Sequence, residues 1–337
     1  MPQPRTRTRT RPRTAPRLTA RVLALACAAA LAGCVPHVGS GPGPAGEPEA
    51  RSLFGQPLYP PELPLESRQR LEAQLDTARL AYEKAPDDAD AVLWYGRRAA
   101  ALGHYREAIS LFTEGIRKHP RDARFYRFRG HRWITVRRFD RAVGDLERAV
   151  RLTRGQPDQE EPDAAPTAAG ARSTLQGNIW YHLGLAYYMR GEFSRAAGAF
   201  QGALSLARND DSRVAAADWL YMSMRRAGRP AAEAAAVLRP FGPEVRVLEN
   251  GSYLRRIRLY RGELPPDSLL DGTGRSNVEI ATQAYGVGNW YFYNGRQSDA
   301  EAIFWRITSA ENWAPFGYIA AEADLRRIAR MQQRRPQ

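Results

Sequence analysis

The 337-residue sequence predicts an all-α protein, a solenoid built from stacked helix hairpins. Three observations predict it. Residues of matched type recur 34 positions apart: Pro86 and Pro120, Gly96 and Gly130, Tyr105 and Phe139, Ala108 and Ala142. A period of this length marks one supersecondary unit repeated, since a lone hairpin cannot bury its own apolar face and a stacked neighbour can. The same small and aromatic residues return in register over 177–210, and again at Gly288, Tyr291, Gly295, Ala300 and Phe304.

The chain starts with a leader, expected over 1–33. Arg5, Arg7, Arg9, Arg11, Arg13, Arg17 and Arg21 precede an apolar run from Val22 to Ala32, and no acidic residue interrupts them. That order is the n-region and h-region of a signal peptide. The run would rise only about 16 Å as a helix, short of the roughly 30 Å hydrocarbon core, so it does not read as a permanent span. Of the two cysteines, Cys27 lies in the leader and Cys34 directly after it, which leaves no partner for a disulfide once the leader is gone. Seven of the fourteen excess positive charges are leader arginines, and the remaining balance is moderately basic. Such a balance on an exported chain points to anionic polymers or acidic proteins as partners, and not to nucleic acid.

Residues 34–65 read as a disordered linker, because Gly39, Gly41, Gly43 and Gly46 interleave with Pro36, Pro42, Pro44, Pro48, Pro57, Pro60, Pro61 and Pro64. The folded body is placed at 66–330. A capping helix over 66–84 carries Leu71, Leu75 and Ala78 at helical spacing, and repeats follow at 89–122 and 123–154. The next clear glycine, Gly184, lies 54 residues after Gly130, so an insertion of about 20 residues is implied. An acidic loop over 155–171 supplies it: Pro157, Pro162 and Pro166 stand among Asp158, Glu160, Glu161 and Asp163, a composition that suits a mobile segment. Its carboxylates are expected to fold over any basic groove nearby and to compete with a ligand there. Repeat three spans 177–210, a degenerate hairpin 211–240, and a C-terminal hairpin 281–312. A final helix over 314–330 reads as the solvating cap of the solenoid, with Arg326, Arg327 and Arg330 offsetting its C-terminal dipole.

Catalytic and metal-binding patterns are absent from this reading. Asp271-Gly272-Thr273-Gly274 lacks the Gly-Lys-Ser/Thr of a phosphate loop and reads as a turn. His37, His104, His119, His131 and His182 have no metal-ligand spacing. Glu160 and Glu161 lie in a loop ill suited to the fixed separation that acid–base catalysis requires. The expectation is a protein without enzymatic activity, metal or cofactor.

Two resemblances add to this. Leu31-Ala32-Gly33-Cys34 resembles the lipobox of bacterial lipoproteins, which implies lipidation at Cys34. Val35 in place of the aspartate that retains such proteins at the inner membrane implies the outer membrane, facing the periplasm. Trp180, Leu183, Gly184, Tyr187, Gly191, Phe193, Ala196, Phe200 and Ala203 match the tetratricopeptide repeat (TPR) position by position, with Arg208 where its closing proline would stand. In that packing Gly184 and Ala196 let two antiparallel helices approach, and Trp180, Tyr187 and Phe200 fill the space around them.

The TPR resemblance implies a right-handed α-solenoid with a concave, partner-binding groove. Carrying the family's groove positions onto this chain gives Arg97, Arg124, Arg127 and His131 at one end. Asn178, Tyr181, Leu185, Tyr188 and Met189 follow, then Tyr285, Asn289, Phe292 and Tyr293 at the other end. A groove basic at one end and aromatic at the other suits an acidic peptide with apolar anchors. Lipobox and repeats together resemble envelope adaptor lipoproteins. The implied function is a membrane-anchored protein-protein interaction scaffold whose partners are other envelope proteins or peptides; Trp313 and Phe316 are read either as an exposed homodimer contact or as packed inside. The alternatives are a peptidoglycan- or glycan-binding lipoprotein and an accessory factor of outer-membrane protein assembly.

Overall fold

The computed structural model describes residues 46–162 and 173–333. Cys34, the leader and the first part of the linker lie outside the described residues, as do 163–172, which take in the second half of the acidic loop. Among the described residues the fold is an all-α solenoid, with one two-stranded hairpin ahead of fourteen helices. No helix among them is long and apolar enough to cross a membrane.

After α1 (Leu65–Lys84) come the helix pairs α2 (Ala89–Ala101) with α3 (Tyr105–Lys118), α4 (Ala123–Thr135) with α5 (Phe139–Thr153), and α6 (Leu175–Arg190) with α7 (Phe193–Leu206). Each helix packs on the one before and the one after it. Local signals set their ends. Asp88 and Thr174 accept N–H bonds from Ala91 and Gly177 and so cap α2 and α6, satisfying donors that the first turn leaves open.

Within a pair the helices touch at a glycine. A Cβ built on Gly96 would lie 2.5 Å from the Phe112 ring, and one on Gly184 would lie 2.7 Å from Phe200. Phe112 and Phe200 are both buried, so these two positions hold glycine because a partner ring fills the space a methyl would need.

The regular stacking then gives out. Helix α8 (Asp210–Arg226) is long and buried, but its partner α9 (Ala231–Ala236) has six residues, and Leu238, Phe241 and Val245 continue the core from irregular chain. Helix α10 (Gly251–Tyr260) packs on α8 and on α12 (Asn277–Tyr293); the short α11 (Asp267–Leu270) lies against α12. Helices α12 and α13 (Gln297–Thr308) form the last hairpin, and Ser276 with Glu279 closes the start of α12 as a reciprocal capping box.

Three expectations are corrected. Helix α14 (Phe316–Gln333) is not a solvating cap, because Gly317 to Leu325 is buried without interruption and the helix packs on α12, α13 and back on α6. Trp313 is not an exposed contact: it is 3% exposed, edge-on to Tyr105, and Phe316 is partly buried against His131 and His182. The linker reading fails from residue 46 onward. Ala50–Arg51 (β1) pairs antiparallel with Pro57–Leu58 (β2), the Leu53 N–H meets the Glu322 carboxylate, and the Trp313 indole N–H donates to the Tyr59 carbonyl. Proline and glycine content does predict a segment that cannot fold alone; here α14 and α3 supply the surface it packs on.

Candidate functional site

The face lined by α2, α4, α6 and α12 carries the residues assigned to a groove, and the structure separates them into three groups. Arg124 stays near the rim, half-exposed and ion-paired to Asp122 and Asp90 at 2.7 and 2.6 Å. Arg97, Arg127 and His131 gather into one buried basic cluster. Tyr188, Tyr285 and Asn289 are buried under other helices, with Phe292 beside them, and Tyr181 is partly buried on the wall of a cavity.

The basic cluster is built by three first helices, α2, α4 and α6, and by the insertion. Helix α4 presents Arg127 and His131 one turn apart, and α6 brings His182 so that the two imidazoles stand 4.4 Å apart. Arg97 lies over the rings of Trp94 and Phe128, at 4.2 and 4.6 Å, and Arg127 lies 4.3 Å over Phe128 from its own side. The insertion closes the cluster. Glu161 meets the Arg127 guanidinium at 2.8 Å, with 8% and 7% of the two side chains exposed, and Arg97 donates to the Pro162 carbonyl. A backbone bridge between Glu160 and Thr174 and a bond from the Gln176 N–H to Asp158 hold this part of the insertion in place. The stretch 155–162 is therefore ordered packing and not a free loop.

Burial governs the titration here, and the cations around it add to the effect. Burial, followed by the charges of Arg132 and Arg127, pushes both His131 and His182 well below the usual imidazole range. They stay neutral beside the guanidinium, and Glu161 is the anion that meets it.

The aromatic group is not an open surface. The Tyr285 hydroxyl donates to Asp324 of α14 at 2.9 Å and accepts from the Tyr188 hydroxyl at 2.8 Å, and both rings are fully buried. Asn289 accepts a bond from Arg226, whose guanidinium lies 4.4 Å over Phe292. Tyr181 bonds the Tyr253 hydroxyl at 3.2 Å. Helix α14 thus covers Tyr285, and α10 meets Tyr181, so this stretch is filled from within the chain.

What holds α14 there is a set of charges that sequence reasoning missed. Asp324 pairs with Arg226 at 2.7 Å and with Arg327 at 2.6 Å, and Glu322 pairs with Arg137 at 2.8 Å. Burial alone would raise Asp324, but Arg226 and Arg327 hold its carboxyl down at about 2. Arg256 and Asp218, both fully buried, pair at 2.8 Å between α10 and α8; there burial outweighs the arginine and pushes Asp218 up to about 7. A signal was present: Glu322 and Asp324 are two carboxylates inside an otherwise apolar run, Gly317 to Leu325, a placement that demands partners.

Arg137 carries a second sign of tertiary demand. Its φ is 62°, the left-handed region, at the turn after α4, where Gly103, Gly191 and Gly295 serve the turns after α2, α6 and α12. A side chain here costs backbone strain of about 1–2 kcal/mol, and the ion pair to Glu322 together with a bond to the Trp313 carbonyl is what keeps it.

Residues 177–210 match the tetratricopeptide repeat family. That repeat is α6 and α7, the pair meeting at Gly184 and Phe200. No curated protein matches the chain. Among solved structures it is similar to YrrB, a tetratricopeptide protein with an unusual peptide-binding site, at 14% identity over 74% of this chain and 98% of that one, with a TM-score of 0.41. It is also similar to a tetratricopeptide repeat protein from Parabacteroides merdae, at 12% identity over 76% and 93% of the two chains, TM-score 0.47. A thermophilic tetratricopeptide protein of Thermus thermophilus is 21% identical over 59% and 93%, TM-score 0.41.

No arrangement for catalysis stands out among the described residues. Asp271 accepts bonds from the Thr273 N–H and hydroxyl, a local turn ahead of α12. No three His, Cys, Asp or Glu side chains gather there as a metal site.

Proposed function

We propose that the chain is a non-enzymatic scaffold of the bacterial cell envelope, anchored by lipid at Cys34 in the outer membrane and facing the periplasm, which binds an acidic segment of a partner protein in the basic cluster of α2, α4 and α6. The observation that carries the reading is the buried Arg127–Glu161 ion pair. Repeat proteins of this kind bind peptides on the first helices of their hairpins, and here those helices already hold one carboxylate, supplied by the chain's own insertion. Arginine recognises carboxylate with charge and geometry together, and the aromatic faces of Trp94 and Phe128 keep the guanidinium groups oriented. Glu161 then acts as an internal stand-in for the ligand. Neutral histidines add donors and acceptors to the cluster without adding to its charge.

The test uses the full-length chain in detergent and a fluorescent glutamate-rich peptide, read by anisotropy. E161Q is expected to tighten binding by about tenfold, because the internal competitor loses its charge, and R127E is expected to abolish it. Equal affinity in wild type, E161Q and R127E would remove this cluster as the binding site. For the anchor, metabolic acyl labelling of wild type and C34S decides: label in both or in neither contradicts the lipid attachment at Cys34.

A further inference from the structure

A separate cavity of about 220 Å³ opens between α6, α8 and α10, with Phe316 of α14 dividing it from the His131–His182 pair. Six side chains give it its chemistry: Asn178, Tyr181, Ser212, Asn250, Tyr253 and Phe316. Two amides and three hydroxyls stand beside three aromatic rings, and Arg208, the cation of the lining, is turned to Asp158, donating to its carbonyl at 3.0 Å and lying 3.9 Å from its carboxylate.

Three helix N-termini border this space, yet each already has its anion. Asp158 accepts from the Gln176 N–H at the start of α6. Asp210 and Asp211 lie in the first turn of α8. The Asp211 carboxylate also accepts the N–H groups of Leu248, Glu249 and Asn250 at the start of α10, at 2.9, 2.8 and 2.7 Å. The positive ends of the dipoles are therefore neutralised, and an anionic ligand would gain nothing from them. The lining groups are themselves preorganised: Asn178 donates to Ser173 at 2.9 Å, Asn250 to the Asp211 carbonyl at 3.0 Å, and Tyr181 to the Tyr253 hydroxyl at 3.2 Å. The volume lies below the roughly 300–1,000 Å³ of sites for drug-sized ligands, which limits an occupant to about one ring.

From this we propose that the cavity binds one neutral sugar ring, a free monosaccharide or a terminal residue of a glycan. The flat C–H face of such a ring packs on Tyr181, Tyr253 or Phe316, and its hydroxyls replace water on the amides and hydroxyls around it. Charge plays no part in this recognition, in contrast to the basic cluster on the other side of Phe316, and the site stands whether or not that cluster binds peptide.

Ligand-observed NMR on the full-length chain in detergent, titrated with glucose, N-acetylglucosamine and the anionic glucose 6-phosphate, tests it. The expected result is saturable binding of at least one neutral sugar and weaker binding of the phosphate. Y253F keeps the ring and the packing but loses one hydroxyl, and about tenfold weaker binding is expected from it. S212W should plug the space and abolish binding while α8 keeps its circular dichroism melt. Failure of both neutral sugars to saturate overturns the proposal, as does preference for the phosphate or equal binding in wild type, Y253F and S212W.

Discussion

The three hairpins α2 to α7 and the region α8 to α14 are both helical, but they are held together by different means. In the first, neighbours in sequence are neighbours in space, and the contacts that matter are rings against glycines within one hairpin, as at Gly96 with Phe112. In the second, the decisive contacts are ionic, buried and distant in sequence. Arg226 reaches across 98 residues to Asp324, and Arg137, in the first region, reaches across 185 to Glu322. A repeat stabilises itself through its period; a closing helix with no period needs groups that can pair with only one partner. Buried charge serves that purpose because an unpaired ion in the interior is costly enough to exclude other registers.

The comparison can be broken at its ionic end first. Asp324→Ala leaves Arg226 and Arg327 without their carboxylate, and a loss of about 3–5 kcal/mol is expected in urea unfolding. A loss below about 1 kcal/mol would mean that apolar packing alone seats α14. Next comes Arg137→Gly, where the two effects oppose. Backbone relief returns about 1–2 kcal/mol, while taking the guanidinium from the buried Glu322 costs about 3–5, so a net loss of about 1–4 kcal/mol is expected. Net stabilisation would show that the turn, and not the ion pair, dominates.

The packed end is sharpened by Gly184→Ala. The added methyl meets Phe200 at 2.7 Å, and an overpacking loss of about 1–3 kcal/mol is expected in the same assay. The smallest effect is with pH. His131 and His182 are held neutral in the fold, so below the unfolded value near 6.5 the unfolded chain binds protons that the folded chain does not, and stability falls as pH falls. Asp218, raised to about 7, works the other way: its contribution is present at low pH and is lost as pH rises from about 4 to 7. With two groups against one, stability falls on going from pH 6.5 to 5.5, and it falls further in Asp218→Asn, where the opposing group is gone. Thermal melts across this range check it; a flat profile in both proteins would contradict the neutral histidines.

The fate of the groove residues shows where sequence reasoning reaches its limit. Tyr188 and Tyr285 sit where family alignment puts ligand contacts, and they do face an α-helix, but it is α14 of the same chain. Nothing local to either tyrosine distinguishes the two cases. Arg127 and His131 were assigned by the same alignment and do converge, while Arg124 of the same helix turns to Asp122 and Asp90. The length of the insertion was legible from the offset between Gly130 and Gly184, and the position of Glu161 over Arg127 accords with an acidic loop folding on a basic face. Asp218 with Arg256 and Asp324 with Arg226 were not legible as pairs, since each joins helices that no periodicity relates.

By itself the sequence determined the all-α solenoid, because a 34-residue period of glycine and aromatic positions is a local packing rule repeated, and helix caps such as Asp88 and Thr174 act within four residues. Only the tertiary structure decided which face stays open. Seating α14, folding residues 46–64 against it and closing Glu161 onto Arg127 each depend on contacts between segments far apart in the chain, and their free energy comes from the burial and pairing that the finished fold alone provides.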